Sequence, residues 1–290
     1  MAPEEQVLAF IAHHLALGAS RLWLYFDDPD DPVFARAASL PRVTATRCTD
    51  WYWAIRGGRA DRHQNRQARN ARDAQRACKL DWLGHIDVDE FLYAPGPVSN
   101  ILSSIPANVP NLLMEPFEAM HDPSLPDDIF TARNFRGPLS RHHRPLQPAI
   151  FGPAASVIPK GNLGHTIRKS FCRPAVKGIS LRLHMVFLNK EQLRASFHPD
   201  LRLLHFHAQD PVVWHNSLPF RLQRGAYHWP ADIKLKSYLT GASEEIVREF
   251  YQATQTLTCE KIAVLQAHDR LITADLGLRA KVQALLDDAL

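Results

Sequence analysis

Hydrophobic positions recur at helical spacing near the start of the chain, where Val7, Leu8, Ile11 and Leu15 fall on one face. Pro3, Glu4 and Glu5 suit a first turn: proline lacks only an N–H that has no partner there, and the acids meet the positive end of the helix dipole. Gly18 stands where a left-handed cap is wanted, so a helix is expected up to about that residue. The pattern then changes. Arg21–Phe26 is a short apolar run that stops at Asp27-Asp-Pro-Asp-Asp-Pro32, as a buried strand does when it empties into an acidic loop. Arg42–Arg47, with Val43, Thr44 and Thr46, predicts a second strand.

From about Arg59 to Leu80 the period is helical again. Ala68, Ala71, Ala74 and Cys78 make a small-residue face fit to lie on a sheet, and Arg62, Arg66, Arg69, Arg72 and Arg76 make a basic stripe on another face. Asp81–Leu92 reads as a strand running into a carboxylate cluster. Such alternation of helix and strand predicts an α/β fold with a mostly parallel, doubly wound sheet. Further strands are expected at Asn111–Glu115, Ile167–Arg173, Ile179–Phe187 and Leu201–His207. The Pro-, Arg- and His-rich stretch 121–164 reads as loops, and the chain after Asp210 as about four helices. The expected division is a catalytic domain of residues 1–210 and a helical region of residues 211–290.

Composition changes this picture little. Of 290 residues, 46% are hydrophobic and 22% charged, the balance of a folded protein. A formal charge of +4 suits a phosphate-bearing ligand or an anionic surface without requiring either. Cys48, Cys78, Cys172 and Cys259 form no CxxC pair, which argues against a zinc ribbon or a disulfide framework. No run approaches a membrane span, and Met1-Ala-Pro-Glu-Glu lacks the layout of a signal peptide. The expected location is the cytoplasm, including the inner face of its membrane.

The informative segment is Ile86-Asp87-Val88-Asp89-Glu90-Phe91. On an extended chain Asp87 and Asp89 point to one face and Val88 to the core. Paired carboxylates beyond a strand end attract Mg²⁺ or Mn²⁺, which hold phosphate oxygens and neutralise a departing diphosphate. The plain alternative is a polar strand end with solvated acids. Against that, three acids sit among Trp82, Phe91 and Leu92, where burial without a cation is costly.

Together, Glu5–Ala19, the strand into Asp27–Asp31, and Trp82-Leu-x-x-Ile-Asp-Val-Asp-Glu-Phe-Leu92 resemble the bacterial family-two-like glycosyltransferases. The likeness covers about residues 4–93, and 160–225 loosely through Leu204-His-Phe-His207. It implies a GT-A-like fold, a nucleoside-diphosphate-sugar donor, a divalent metal, and a glycan or lipid-linked acceptor. It implies that Asp27 contacts the nucleoside, that Gln67 faces the donor, and that Asp87 and Asp89 form the metal–diphosphate motif. It also implies that His205, or its rival His207, completes the metal shell. Family members open with a strand ahead of the first helix, and here the helix begins almost at Met1.

Other candidates follow from chemistry. Lys169, in Gly164–Ser170, is placed to reach a diphosphate as a point charge, against the plainer reading of a basic strand edge. An inverting displacement needs a carboxylate to take the acceptor's proton; Glu118 is chosen over Glu115, which still falls within the strand, and nothing in the sequence separates it from Asp122. His13-His14 and His142-His143 read as structural or surface residues. The arginine stripe reads as a solvated face and not as a nucleic-acid site, since no aromatics interleave it, though it also suits peripheral contact with acidic lipid. The rival functions are a nucleotidyltransferase, for which no Gly-rich loop precedes residue 57, and a non-catalytic interaction protein that retains the fold.

Overall fold

A computed structural model describes residues 2–126, 131–139, 141–158, 160–164, 168–223, 227 and 233–287. The chain begins with α1 (Glu4–Ala16), β1 (Leu22–Phe26), α2 (Val33–Ser39), β2 (Val43–Arg47), α3 (Asp50–Ala54) and α4 (His63–Ala77). Next come β3 (Leu83–His85), β4 (Glu90–Tyr93), α5 (Val98–Ser104), β5 (Asn111–Ala119), β6 (Asn134–Arg136) and α6 (Gln147–Phe151). Four short strands follow: β7 (Lys169–Cys172), β8 (Ile179–Leu181), β9 (Val186–Leu188) and β10 (Glu191–Gln192). The longer β11 (Phe197–His205) leads to α7 (Pro211–Gln223), α8 (Ile233–Leu239), α9 (Glu244–Gln255), α10 (Cys259–Gln266), β12 (Leu271–Thr273) and α11 (Leu278–Asp287).

These elements form two compact units. The first holds Met1–Glu115, Arg168–Leu203 and Gly277–Leu290, the second Pro116–Ile167 and Leu204–Leu276. The expected break near residue 210 does not coincide with this division: residues 116–167 belong with the late helices, and α11 packs on α1.

In the first unit β1 and β2 pair in parallel, with α2 as the crossover between them. Both faces of β1 are covered, which is why all five of its residues are apolar. Leu22, Leu24 and Phe26 meet Val7, Leu8, Ile11, Leu15, Val33 and Ala37 of α1 and α2. On the other face Trp23 packs near Cys78 and Leu83, and the Tyr25 hydroxyl donates to Asp73 of α4 at 3.1 Å. The small-residue face of α4 is buried as its sequence predicts, at Ala71 and Ala74, with Cys78 just beyond. Gly18 has φ +94° and ends α1.

A second sheet orders β4, β11, β5, β7 and β3 side by side. Its β3–β7 and β5–β7 pairs are antiparallel, so the protein is α/β with a mixed sheet and not the mostly parallel one expected. Each of these pairs joins strands separated by a long stretch of chain, whereas β8, β9 and β10 form a small antiparallel sheet of their own through short turns. In the second unit the end of β5 pairs with β6, and β6 with β12, both antiparallel. The core there is Phe151, Trp214, Leu239, Phe250, Tyr251 and Leu265. Among the described residues no helix is long and apolar enough to cross a membrane.

Strand β4 lies at the edge of its sheet, and α1 satisfies its backbone. The Nε2–H of His13 donates to the Leu92 carbonyl at 2.7 Å, and the Leu92 N–H donates to Nε2 of His14 at 3.1 Å. His14 Nδ1–H donates to Phe10 O at 2.7 Å, and His13 Nδ1 faces the Lys281 ammonium at 3.2 Å. Each imidazole thus uses one nitrogen as donor and one as acceptor, which requires both to be neutral. Burial pulls the pKa of His13 from 6.5 to about 4 and that of His14 to about 3. Because the folded values lie below the unfolded one, the unfolded chain takes up protons first as pH falls. This stability is therefore complete above about pH 6.5 and is lost on the way down to pH 4. The thermal midpoint should drop steeply over that window, and less steeply in His13→Gln. Equal slopes for the two proteins would show that His13 does not titrate with unfolding.

Candidate functional site

The site grows from the ends of β1 and β3. After Phe26 the chain breaks into the acidic turn, and Asp27 is the first residue outside the strand. After His85 it enters a turn at Val88-Asp89 and re-forms as β4. Asp87 and Asp89 are thus not two alternating positions of one strand, as the spacing suggested. The turn closes on itself: the Glu90 N–H donates to Asp87 O at 3.0 Å, and the Asp87 N–H donates to the Glu90 carboxylate at 2.6 Å. Val88 does pack against the α1–β1 core, as expected. Asp89 is partly exposed.

Helix α4 ties the two strand ends together with consecutive residues. Arg66 Nε lies 2.9 Å from Asp27 Oδ1, and Gln67 Nε2 donates to Asp87 Oδ1 at 2.9 Å. The second oxygen of Asp27 takes Arg59 at 2.8 Å. Arg59 is delivered by the turn at Gly57 and Gly58, whose φ values of +84° and +86° would strain any other residue. Asp27 and Arg59 are about half exposed, and Arg66 is mostly covered.

Lys169 of β7 enters the same cluster from beneath. Its ammonium is 2.8 Å from Asp87 Oδ2 and 3.2 Å from Glu90 Oε2, and both Lys169 and Glu90 are fully buried. Burial alone would lower the Lys169 pKa, but the two carboxylates outweigh it and hold the ammonium charged. Burial would likewise raise Asp87, and Lys169 more than reverses it. Gln67, Asp87 and Lys169, each singled out by sequence, therefore meet in one contact network. Arg59 and Glu90 carry no site role of their own in the sequence. The Gly57-Gly58 pair ahead of a helix was the available signal for Arg59, while nothing local marks Glu90 as the partner of a lysine 79 positions on.

Gln67 and Asp87 also stand in the wall of a cavity of about 950 Å³ in the first unit. Its lining includes Leu22–Tyr25 of β1 and Leu83–Ile86 around β3. Among the described residues β1 pairs only with β2, and β3 only with β7. The Leu22 N–H and the Phe26 carbonyl are engaged on the β2 side, at 2.9 Å each. By alternation, the backbone groups of Trp23 and Tyr25 face the other way, along the cavity.

The remaining expected residues lie in the second unit. Glu118 is 1% exposed and engaged at both oxygens. It pairs with the buried Arg136 at 2.9 Å and accepts the N–H groups of Leu163 at 3.1 Å and Gly164 at 2.5 Å. Its partners make it a structural anchor and leave no oxygen for an acceptor hydroxyl. Asp122 is partly exposed, and hydrogen bonds from Ser124 hold its carboxyl below the usual range, which weakens it as a base. His205 is buried at the end of β11, with its ring 5.1 Å from that of His207. His207 is occupied by Arg221, at 2.6 Å and 2.9 Å from its two ring nitrogens, and by the Tyr227 hydroxyl at 3.1 Å.

The residues do not fit a divalent ion as arranged. Asp87 already holds an ammonium and an amide, and among the described residues no three His, Cys, Asp or Glu side chains converge as a metal group. Of the expected set, Asp87 and Asp89 belong to the first unit and His205 and His207 to the second, and both Asp87 and His207 are engaged by protein partners. Comparison with family models, curated proteins and solved structures finds no match to this chain.

Glu118→Gln would leave Arg136 buried without a counter-charge. Such a change should lower unfolding free energy by about 3–5 kcal/mol in urea titrations, and a loss below about 1 kcal/mol would contradict the anchoring role.

Proposed function

We propose that this protein is a glycosyltransferase that takes a sugar from a nucleoside-diphosphate donor and passes it to a hydroxyl of a glycan or lipid-linked acceptor. The observation that carries the reading is the pair of consecutive α4 residues, Arg66 and Gln67, gripping the carboxylates that follow β1 and β3. Ligands of open α/β sheets bind beyond the carboxyl ends of strands, which is where these groups lie. In this reading Asp27 accepts hydrogen bonds from the nucleoside. Arg59, half exposed, turns its guanidinium from Asp27 to the diphosphate and stabilises the charge that builds on it as the sugar departs. Gln67 orients Asp87 toward the donor. The acceptor's base is left unassigned, since Glu118 is fully engaged and Asp122 is a weakened base. The motif likeness at Trp82–Leu92 supports the same reaction class.

A second reading, binding without turnover, is favoured by the edges of β1 and β3 that carry no ladder among the described residues, beside the site.

The test is thermal stability against uridine, guanosine, adenosine, cytidine and thymidine diphosphates. One of them at about a hundred times its dissociation constant should stabilise by roughly 2.7 kcal/mol. Asp27→Ala or Arg59→Ala should weaken that binding about tenfold, the worth of one charge-assisted contact. Absence of any nucleotide effect on the wild type would refute the donor site. Binding with no sugar transfer to any acceptor would favour the second reading.

A further inference from the structure

We infer that Lys169 is a built-in cation, holding permanently the place between Asp87 and Glu90 that a divalent ion would otherwise take, so that the site works without metal. The consequence for catalysis rests on the proposed donor site; the exclusion of metal by Lys169 does not.

The geometry is that of a cation shell. The ammonium sits 2.8 Å from one carboxylate and 3.2 Å from another, with all of its charge inside the fold. Two further contacts to these carboxylates come from within the fold. Gln67 takes the other oxygen of Asp87, and the Asp87 N–H takes the Glu90 oxygen that faces the lysine. Two carboxylates brought this close repel, and the buried one, Glu90, needs a positive neighbour. Lys169 supplies it by a side chain anchored on β7, a strand paired on both sides, to β3 and to β5. A divalent ion entering here would meet an ammonium inside the same shell, so the two exclude each other.

Two carboxylates held on one ammonium are donors of the type that take a hard divalent ion such as Mn²⁺. Removing the ammonium should therefore uncover a metal site, in place of the charge it supplied.

Mn²⁺ titration of the full chain, followed by the loss of free-ion paramagnetic resonance signal, tests this directly. Wild type should show no Mn²⁺ uptake that depends on Asp87, judged against Asp87→Asn. Lys169→Met should gain one Asp87-dependent equivalent, and Mn²⁺ should raise its thermal midpoint while leaving that of the wild type unmoved. Lys169→Arg, which keeps the charge, should behave as wild type. If Lys169→Met does not fold, Lys169→Gln and the wild-type titration decide the matter. Wild-type uptake that vanishes in Asp87→Asn would overturn the inference, as would a folded Lys169→Met or Lys169→Gln that takes up no metal. The nucleotide panel separates the two proposals. A diphosphate that stabilises wild type equally in chelator and in Mn²⁺ supports both. Stabilisation only in Mn²⁺ overturns the built-in cation and upholds the donor site. No nucleotide effect removes the donor site, and the Mn²⁺ titration then judges Lys169 alone.

Discussion

A single ammonium inside the first unit sets the arrangement of everything around it. Lys169 joins β7 to the turn between β3 and β4 through two carboxylates, and each of those carboxylates has a second duty. Glu90 closes the turn by accepting the Asp87 N–H, and Asp87 receives Gln67 from α4. The charge that makes the turn affordable is therefore also the charge that aims its carboxylate. A buried ion pair contributes little net stability compared with an apolar replacement, but it tolerates no partial loss. Its value here is positional: one arrangement of β3, β4, β7 and α4 satisfies it.

The same economy of polar groups recurs at the other end of β4. An edge strand exposes a row of backbone donors and acceptors, and proteins usually cover or distort such edges. Here His13 and His14 give Leu92 an acceptor and a donor, as a neighbouring strand would. Two adjacent residues on a helix rarely serve one target. They do so because both rings are buried between α1 and Phe91, with His14 stacked on that ring at 6.0 Å. In the second unit Glu118 plays a comparable part, gathering Arg136 and two backbone N–H groups into one buried node.

What the sequence made legible was local. The face of α1, the two-sided burial of β1, the parallel partner β2 and the small-residue face of α4 all follow from periodicity within a few turns of chain, and all are present. The kink at Asp87–Asp89 was not legible, because alternation favours a continuous strand and the interaction that breaks it comes from Lys169, 82 positions away. Lys169 itself drew notice as a charge for a ligand, whereas its partners are internal. Glu118 misled for a related reason. A carboxylate following a strand is a natural candidate base until a distant arginine and a glycine loop are seen to occupy it. The mixed sheet was hidden by the regular βαβ opening, which says nothing about strands that pair across long stretches of chain.

The two open strand edges carry a consequence for how the first unit comes apart. No backbone ladder joins the β1–β2 pair to the larger sheet among the described residues, so the connection between them is made by side chains and by helices that span the gap. A sheet with a continuous ladder opens as one body, whereas one with a seam has a line of weak cooperativity. The layer of α1, α2, β1 and β2 is thus expected to open separately once the His13 and His14 bonds to Leu92 give way. Its amides should exchange with solvent through a local opening that leaves β5, β7 and β11 protected, so that the Asp27 end of the candidate site breathes while the strand that carries Lys169 stays shut.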